Sequence, residues 1–223
     1  MPVTLFLSPS TLLRSEEYVL GMLPQAKTYC DSSTVHYLLR CMRVHIPLGS
    51  FDLSETIGLA RGVLERARDD AEKLLVVGGT ASDAARFREH LTAEFRIDES
   101  NIVSAHGYHR DILTVVLRLI TEHRPDVVIL GLGAPMQEYV ASHCARQLPG
   151  ADIYTCGGFI SQTALAGGRF YPPFFDRTHT RWLYRIFRQP YVLKRLFIEY
   201  VRGFWAALRL GRRLCGSNCR PPP

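Results

Sequence analysis

Short apolar runs alternate along the chain with longer segments that carry apolar residues at helical spacing. Two of the runs, Leu74 to Val77 and Val127 to Leu130, hold four apolar residues without a polar interruption. Such runs are typical of strands buried on both faces, as in a parallel sheet. In chain order, the predicted strands cover residues 3–7, 27–30, 74–77, 101–104, 127–130 and 153–155.

Six helices are predicted between these strands. The first is expected to start at Ser10, whose hydroxyl can cap it, and to run to about Leu23. The third is expected over Leu53 to Arg68, with Ser54 near its start. The others are predicted over residues 35–42, 82–95, 112–123 and 137–147. Strands and helices alternate at intervals of roughly 25 residues. This predicts an α/β fold with a doubly wound, mostly parallel, Rossmann-like sheet.

Glycines follow three of the predicted strands. The stretch from Asp126 to Glu138 is central, because its buried strand runs into a Gly-x-Gly turn just before a predicted helix. Glycine lets a backbone turn sharply, and open α/β sheets bind ligands at the carboxyl ends of their strands. A tight turn without a ligand is the alternative for any one junction. Three junctions together predict a crevice lined by backbone amides and suited to a phosphate or a nucleotide. Its expected residues are Gly78, Gly79, Gly131, Gly133, Pro135, Gln137, Glu138, Gly157 and Gly158.

Two polar side chains stand at predicted strand ends. Asp31 follows the second strand directly before a helix, so it is either a helix cap or a carboxylate that faces the crevice. His106 follows the fourth strand, so it either lines the crevice or packs as the helical histidines do. No Glu-x-x-His pair indicates a metal site. The six cysteines fit reduced thiols in a cytoplasmic protein.

The net charge of +6 is unevenly distributed. Residues 169–223 hold twelve Lys and Arg against two acids, a net charge of +10, whereas residues 1–168 have a net charge of −4. In residues 180–214, apolar and aromatic side chains interleave with arginines, which suits an anionic membrane surface. The alternatives are a packed helix with a solvated basic face and a tail that binds nucleic acid. We expect the membrane surface and no nucleic acid as partner.

The chain contains no run of eighteen apolar residues and no basic segment followed by an apolar one at its N-terminus. Neither a transmembrane helix nor a signal peptide is therefore expected. Pro190 is expected to split the basic segment into two helices. We divide the chain into a Rossmann-like nucleotide-binding domain at 1–168, a helical appendage at 169–214 and a disordered tail at 215–223.

Two motifs resemble a known protein family. Gly131-Leu-Gly-Ala-Pro-Met-Gln-Glu138 resembles the Gly-x-Gly-x-Pro-x-Gln-Glu signature of the WecG/TagA/CpsF glycosyltransferases. Arg181-Trp-Leu-Tyr-Arg185 resembles that family's Glu-Trp-Leu-Tyr-Arg segment. Gly78-Gly79 and His106-Gly-Tyr108 also follow the family's order and spacing. The resemblance covers nearly the whole chain, from about Val3 to Lys194.

The resemblance implies an inverting transferase that moves a sugar from a nucleotide diphosphate, usually UDP, to a polyprenyl-diphosphate-linked saccharide. Members of the family build capsules, exopolysaccharides and other bacterial surface polysaccharides. They lack the metal-binding Asp-x-Asp of many transferases, and this sequence has no Asp-x-Asp either. We therefore expect a peripheral protein on the cytoplasmic face of the inner membrane that needs neither metal nor cofactor and that can form homo-oligomers.

The resemblance also implies roles for single residues. Asp31 matches the family's proposed general base, with Ser32 at the usual Gly position. Gln137 matches a Gln that contacts the nucleotide sugar. Arg185, with Arg181 behind it, matches the arginine that the family tail brings to the diphosphate.

Two more family positions are matched less closely. Ser8 or Ser10 stands where the family has an Asn near the end of the first strand. Arg43 is the nearest candidate for a family arginine that precedes a Gly-x-Asp-Leu segment. Both serve as candidate substrate contacts.

The turn after Gly158 departs from the family pattern. The family has a sequence close to Gly-Gly-x-Phe-Asp, whereas Gly158 is followed by Phe159-Ile-Ser-Gln-Thr163 and no Asp. Ser161 or Gln162 can replace the hydrogen bond of that Asp to the donor but not its charge. A non-catalytic scaffold that binds nucleotide or membrane is therefore the alternative function. A dinucleotide-binding oxidoreductase is disfavoured, because no Gly-x-Gly-x-x-Gly follows the first strand.

Overall fold

The computed structural model describes residues 3–170 and 193–218, together with the single residues 172, 174, 175, 178, 180, 183 and 184. In 193–200 and 216–218 it describes the backbone alone. Arg181, Arg185 and Pro190 lie outside the described residues, and so do the expectations attached to them.

The described strands form one parallel sheet. They are β1 (Val3–Leu7), β2 (Lys27–Cys30), β3 (Leu74–Gly78), β4 (Ile102–Ala105), β5 (Val127–Gly131) and β6 (Asp152–Thr155). Their order in the sheet is β2-β1-β6-β5-β3-β4, and every neighbouring pair is parallel. All six carboxyl ends therefore meet at the same edge, which confirms the predicted α/β architecture.

Helices connect the strands and cover both faces of the sheet. They are α1 (Pro9–Arg14), α2 (Glu16–Met22), α3 (Ser33–Cys41), α4 (Ala60–Asp69), α5 (Ala81–Phe95), α6 (Ile112–His123), α7 (Met136–Gln147), α8 (Phe159–Ala166) and α9 (Leu193–Asn218). The helices predicted over 35–42, 82–95, 112–123 and 137–147 are confirmed to within two residues at each end.

The two faces of the sheet bury separate hydrophobic cores. Leu74 and Val76 of β3 belong to a core shared with α4, α5 and α8, whereas Leu75 and Val77 belong to one shared with α6 and α7. This alternation follows from the two-residue period of a strand, which points successive side chains to opposite faces. It explains why the apolar runs have no polar interruption.

The connections after β3 and β5 leave the sheet in opposite directions. These strands are neighbours, and α5 after β3 covers one face while α7 after β5 covers the other. Where neighbouring strands lead to opposite faces, a crevice opens between their carboxyl ends. The sheet therefore places a crevice at Gly78 and Gly131, the last residues of β3 and β5.

The C-terminal helix α9 packs against α1 and α3. Two of its glycines allow this close approach, because a Cβ on Gly203 would lie 2.5 Å from the Cβ of Pro9 and one on Gly211 would lie 2.5 Å from the sulfur of Met42. The buried residues of α9 in this contact are Ala206, Ala207 and Leu210. One face of α9 is therefore part of the core of the sheet domain.

The first predicted helix is two helices in the structure. Ser8, not Ser10, is the N-cap, and its hydroxyl oxygen accepts a hydrogen bond from the backbone N–H of Thr11 (3.1 Å). Pro9 takes the first helical position, where its missing N–H costs no hydrogen bond. The chain then breaks at Ser15 before α2 begins.

The third predicted helix starts at Ala60, seven residues later than expected at Leu53. Ser54 lies in a turn instead, where its backbone N–H donates to the Asp52 carboxylate (2.9 Å). Phe51 and Leu53 are buried although they lie in this loop. Their apolar side chains fill the core from within a loop. In the sequence, such residues resemble the start of an amphipathic helix.

Helix α9 extends to Asn218, four residues past the predicted end of the helical appendage at 214, and the partly buried Leu214 packs against the core beneath α9. Within the described residues, no helix is both long and apolar enough to cross a membrane. The five described cysteines are free thiols.

Candidate active site

Backbone atoms of three neighbouring turns pack closely at the carboxyl edge of the sheet. Gly78 and Gly131 are register partners, and a Cβ on Gly78 would lie 2.6 Å from the Gly131 carbonyl oxygen. Gly107 donates its backbone N–H to the Gly79 carbonyl (2.9 Å), and its own Cβ would lie 3.3 Å from the Gly78 Cα. There is no room for a Cβ at Gly78 or Gly131, because the Ile160 side chain packs against both glycines.

The turn after β6 lies beside the turn after β5. Leu130 of β5 is the register partner of Thr155 at the end of β6. Gly133 and Gly157 have φ angles of +72° and +56°, which favour glycine, and no atom lies within 4 Å of the position that a Cβ would take on either one. The three glycine junctions therefore meet, as the sequence predicted. Pro135 and Gly158, also predicted for the site, are exposed in these turns.

Gln137 and Glu138, in the first turn of α7, are held inside the protein. Only 4% of Gln137 and 0% of Glu138 are exposed. The Gln137 Nε2 donates to Glu138 Oε1 (2.8 Å), and Gln137 Oε1 accepts from the Gly157 backbone N–H (3.0 Å). The hydroxyl of Ser15 donates to Glu138 Oε2 (2.9 Å). These bonds connect the start of α2, the first turn of α7 and the turn after β6.

The carboxyl group of Glu138 lies in an apolar environment. Burial raises its pKa above the ordinary value, although the hydrogen bonds from Gln137 and Ser15 oppose that rise. Burial similarly raises the pKa of the Cys156 thiol, which lies next to Gly131. Glu138 is fully buried with both oxygens bonded inside the protein, so it is not accessible as a base. The raised pKa of Cys156 disfavours the thiolate that a nucleophile needs.

Asp83, which the sequence analysis missed, brings a carboxylate to the rim of the crevice. Its Oδ2 accepts from the Thr80 backbone N–H and from the Ser161 hydroxyl, each at 2.9 Å. Burial alone would raise the pKa of Asp83, but these hydrogen bonds lower it below the ordinary value. A Cβ on Gly79 would lie 2.9 Å from both Asp83 Oδ2 and Ser161 Oγ. Ser161 thus has an ionised partner beside the crevice.

The structure separates the two residues expected to replace the family Asp. Gln162 is buried and lines a small cavity between α8 and the loop that contains Asp52 and Ser54. Ser161 lies at the crevice, where it bonds Asp83. Asp83 was missed because its place in the sequence indicates only a residue in the first turn of a helix. In the structure it forms a capping box with Thr80.

Asp31 and Ser8 lie together near the other side of the sheet. Asp31 is exposed, and its backbone N–H donates to the carbonyl of Leu7, the residue before Ser8 (2.9 Å). Ser32 occupies the N-cap position of α3, so Asp31 is not the N-cap residue, which was one of its two alternatives. Three strand spacings separate β2 from β5, which puts Asp31 about 14 Å from Gly131 along the edge.

Arg43 lies away from the other candidates. It follows α3, whose N-terminus is next to Asp31 at the carboxyl edge of the sheet. A nine-residue helix is about 13 Å long, so Arg43 lies near the opposite edge. Helix α3 carries the chain away from the crevice, and the substrate contact expected of Arg43 stays a prediction.

His106 lines a groove of about 730 Å³ along β4, between α5 and α6. Its ring stacks on that of His109, with the centroids 3.8 Å apart. Tyr108 lies between them in sequence and is 79% exposed. The groove meets the crevice where Gly107 contacts Gly79. The sequence analysis singled out His106 and Tyr108 but missed His109, which lies three residues after His106.

Comparisons with known proteins agree with this architecture. A sequence model of the Glycosyl transferase WecG/TagA/CpsF family matches residues 11–215. A UDP-Gal:alpha-D-GlcNAc-diphosphoundecaprenol beta-1,4-galactosyltransferase from Shigella boydii is 42% identical over 77 residues. That stretch spans about a third of each protein, 34% of this chain and 32% of the relative. The family match covers most of the chain, and the protein therefore belongs to the WecG/TagA/CpsF family of glycosyltransferases.

Proposed function

We propose that this protein is an inverting, metal-independent glycosyltransferase. It transfers a sugar from a UDP-sugar to a polyprenyl-diphosphate-linked saccharide during the synthesis of a bacterial surface polysaccharide or exopolysaccharide. Membership of the glycosyltransferase family supports the reaction class. The observation that carries the proposal is the glycine-floored crevice at the point where β3 and β5 lead to opposite faces.

The donor nucleotide is proposed to lie over β3 and β5. The crevice gives its diphosphate access to backbone around Gly133 and Gly157, where no atom lies within 4 Å of the position of a Cβ. The groove along β4 has a volume within the range of small-molecule sites, and it continues from the crevice past His106. The exposed ring of Tyr108 offers a flat surface on which a nucleobase can stack.

The acceptor is proposed to enter from the side of β1 and β2. There, the exposed Asp31 removes the proton from the acceptor hydroxyl as that oxygen attacks the sugar C1. The bond from C1 to the diphosphate breaks on the opposite side, and UDP leaves with the negative charge. A direct displacement of this kind inverts C1. Ser8, next to Asp31, is proposed to bind the acceptor or the transferred sugar.

Arg181 and Arg185 remain the proposed partners of the leaving diphosphate. Two guanidinium groups would stabilise the charge that develops on it, the part that a metal ion plays in other transferases. The absence of an Asp-x-Asp anywhere in the sequence supports this metal-independent route.

The donor sugar is the least constrained part of the proposal. The relative from Shigella boydii is named for UDP-Gal and for a GlcNAc-diphosphoundecaprenol acceptor. UDP-galactose and undecaprenyl-diphosphate-GlcNAc are therefore the first substrates to test. Ser161 and Asp83 are proposed to bind a donor hydroxyl, because they place a hydroxyl and an ionised carboxylate beside Gly79.

The outer face of α9 is proposed to dock on an anionic membrane. Val201, Phe204 and Trp205 are 50%, 40% and 59% exposed, and Arg202 and Arg212 lie on the same outer side. Aromatic side chains flanked by arginines suit the headgroup region of an anionic bilayer. Because α9 packs on α1 and α3, this face would hold Ser8 and Asp31 close to a lipid-linked acceptor.

A non-catalytic scaffold is the second candidate function. It is favoured by the turn after Gly158, where Gln162 is buried away from the crevice and no residue takes the place of the family Asp in sequence. Such a protein would bind UDP or membrane without releasing product.

The test is UDP release from a panel of UDP-sugars with undecaprenyl-diphosphate-GlcNAc as acceptor. We expect release that depends on the acceptor and falls at least about 100-fold in Asp31→Asn, the lower end of what a general base contributes. Full activity of Asp31→Asn would exclude this residue as the base and leave the transferase in place. Binding of UDP without turnover of any donor would favour the scaffold.

A further inference from the structure

Glu138 has no route to a substrate, although it stands in a motif at the centre of the site. It is 0% exposed, and both carboxylate oxygens accept hydrogen bonds from within the protein. Burying a carboxylate costs free energy unless its bonds offset the lost hydration. The raised pKa of Glu138 reflects that cost. The groups that Glu138 holds in place explain why a carboxyl group is buried here despite the cost in free energy.

Glu138 holds the carboxamide of Gln137 in one of its two flipped orientations. With Nε2 bonded to Glu138, the amide oxygen faces the Gly157 backbone N–H and accepts from it. In the opposite flip, the Gln137 oxygen would face the Glu138 carboxylate and its NH₂ would face the Gly157 N–H. Both contacts would then be repulsive, so the carboxylate selects the orientation that binds Gly157.

Gly157 is the residue at which the chain turns from β6 toward α8. Its φ of +56° lies in the left-handed region, and its N–H donates to the Gln137 side chain rather than to a carbonyl of the sheet. The next residues of this turn are Gly158 and the start of α8, which bring Ser161 to the rim of the crevice beside Gly79. The position of this turn therefore depends on Gln137.

We propose that Glu138 is a positioning residue, which orients the Gln137 carboxamide and through it sets the turn between β6 and α8 that borders the donor crevice. This inference rests on the proposed function for the identity of the ligand. It changes the expected role of Gln137 and Glu138 from substrate contacts to a buried relay, with Ser15 holding the second carboxylate oxygen.

A double-mutant cycle tests the relay. Glu138→Met keeps the length of the side chain but removes both acceptors, and Gln137→Ala removes the side chain through which Glu138 acts. The measurement is the affinity for the UDP-sugar that the panel above selects, determined by calorimetric titration, together with kcat and KM for donor and acceptor. We expect Glu138→Met to weaken donor binding about 10-fold, to raise the donor KM and to leave the acceptor KM unchanged.

In the Gln137→Ala background, Glu138→Met is expected to change donor affinity less than about 2-fold, because coupled residues are not additive. Glu138→Gln is expected to stay within about 3-fold of the wild type, since its amide oxygen still accepts from Gln137 and its NH₂ can donate to Ser15. If Glu138→Met fails to fold, Glu138→Asp replaces it, because the shorter carboxylate cannot reach Gln137.

Two results would overturn the relay. One is an equal loss of donor affinity on changing Glu138 with and without Gln137. The other is a loss in Glu138→Gln as large as in Glu138→Met. Wild-type protein that binds no UDP-sugar would instead contradict the proposed function, and the relay would fall with it. Donor binding with additive effects would contradict the relay alone.

Discussion

At the scale of single residues, Glu138 links stability to pH. Its carboxyl group has an ordinary pKa of 4.5 and a raised pKa in the folded protein. As the pH rises above about 4.5, the unfolded chain releases this proton first, so the folded state is progressively destabilised up to the raised pKa. The neutral Glu138→Gln variant lacks this effect.

We expect the free energy of unfolding of Glu138→Gln, relative to the wild type, to rise as the pH increases above about 4.5. Urea unfolding of both proteins at each pH measures this difference, and all other titrating groups cancel in it. A difference that stays constant over this range would show that Glu138 does not titrate with a raised pKa.

Gly78 is expected to tolerate no side chain. A Cβ there would lie 2.6 Å from the Gly131 carbonyl oxygen and 2.8 Å from the Ile160 side chain, so Gly78→Ala must push β3 and β5 apart. We expect a loss of about 1–3 kcal/mol in the free energy of unfolding, with weaker UDP-sugar binding. Gly21→Ala is the matched control, because no atom lies within 4 Å of the added Cβ. Equal stability of the two variants would contradict the close packing of the crevice floor.

At the scale of elements, the docking of α9 depends on the absence of a side chain at Gly203. A Cβ there would lie 2.5 Å from the Pro9 Cβ and 2.6 Å from the Pro9 carbonyl oxygen. Gly203→Ala should therefore separate α9 from α1 and lower the free energy of unfolding by about 1–3 kcal/mol. The rate of amide hydrogen exchange should increase more in α9 than in the strands.

Gly62→Ala in α4 provides the control for this prediction. It lies within a helix with open space at the Cβ position, so we expect it to stabilise the protein by about 0.5–1 kcal/mol. Protection of α9 that is unchanged in Gly203→Ala would show that α9 does not rely on this contact.

The sequence predicted best those elements in which apolar residues recur at a regular spacing. Ile112–His123 was predicted to the residue, because its apolar positions recur at helical spacing and Arg124-Pro125 ends it. The start of α4 was wrong, because Phe51 and Leu53 are buried loop residues whose burial is decided by the sheet above them. Local pattern cannot distinguish a buried loop from a helical face.

The site was predictable where it depends on backbone and less so where it depends on distant side chains. The glycine junctions were predictable because each follows a buried strand, and the parallel sheet brings them together. The partners of Glu138 were not predictable, since Ser15 lies 123 residues away in sequence. The same holds for Ser161 and Asp83, which are 78 residues apart. Only the fold decides which of the many polar side chains meet.

At the scale of the whole molecule, one end of the carboxyl edge is proposed to serve the donor and the other the lipid acceptor. Helix α9 lies on the acceptor side, and its Trp205 is 59% exposed. We expect Trp205→Ala to weaken binding about 10-fold to vesicles that contain phosphatidylglycerol, because the variant lacks the ring that inserts into the bilayer. Vesicle co-sedimentation measures this affinity.

Tyr108→Ala is the control for membrane binding. Tyr108 is the more exposed aromatic, at 79%, but it lies at the β4 end of the sheet, away from α9. We expect its loss to leave vesicle binding unchanged. Equal weakening by both variants, or no effect of Trp205→Ala, would contradict docking through α9.

The central claim is that the protein transfers a sugar to a lipid-linked saccharide. Mass and NMR spectra of undecaprenyl-diphosphate-GlcNAc after incubation with each UDP-sugar test it most directly. We predict that the acceptor gains one sugar residue from one donor, in a new linkage whose configuration at C1 is opposite to that in the donor. An acceptor of unchanged mass with every donor, or a product that retains the donor configuration, would contradict the account.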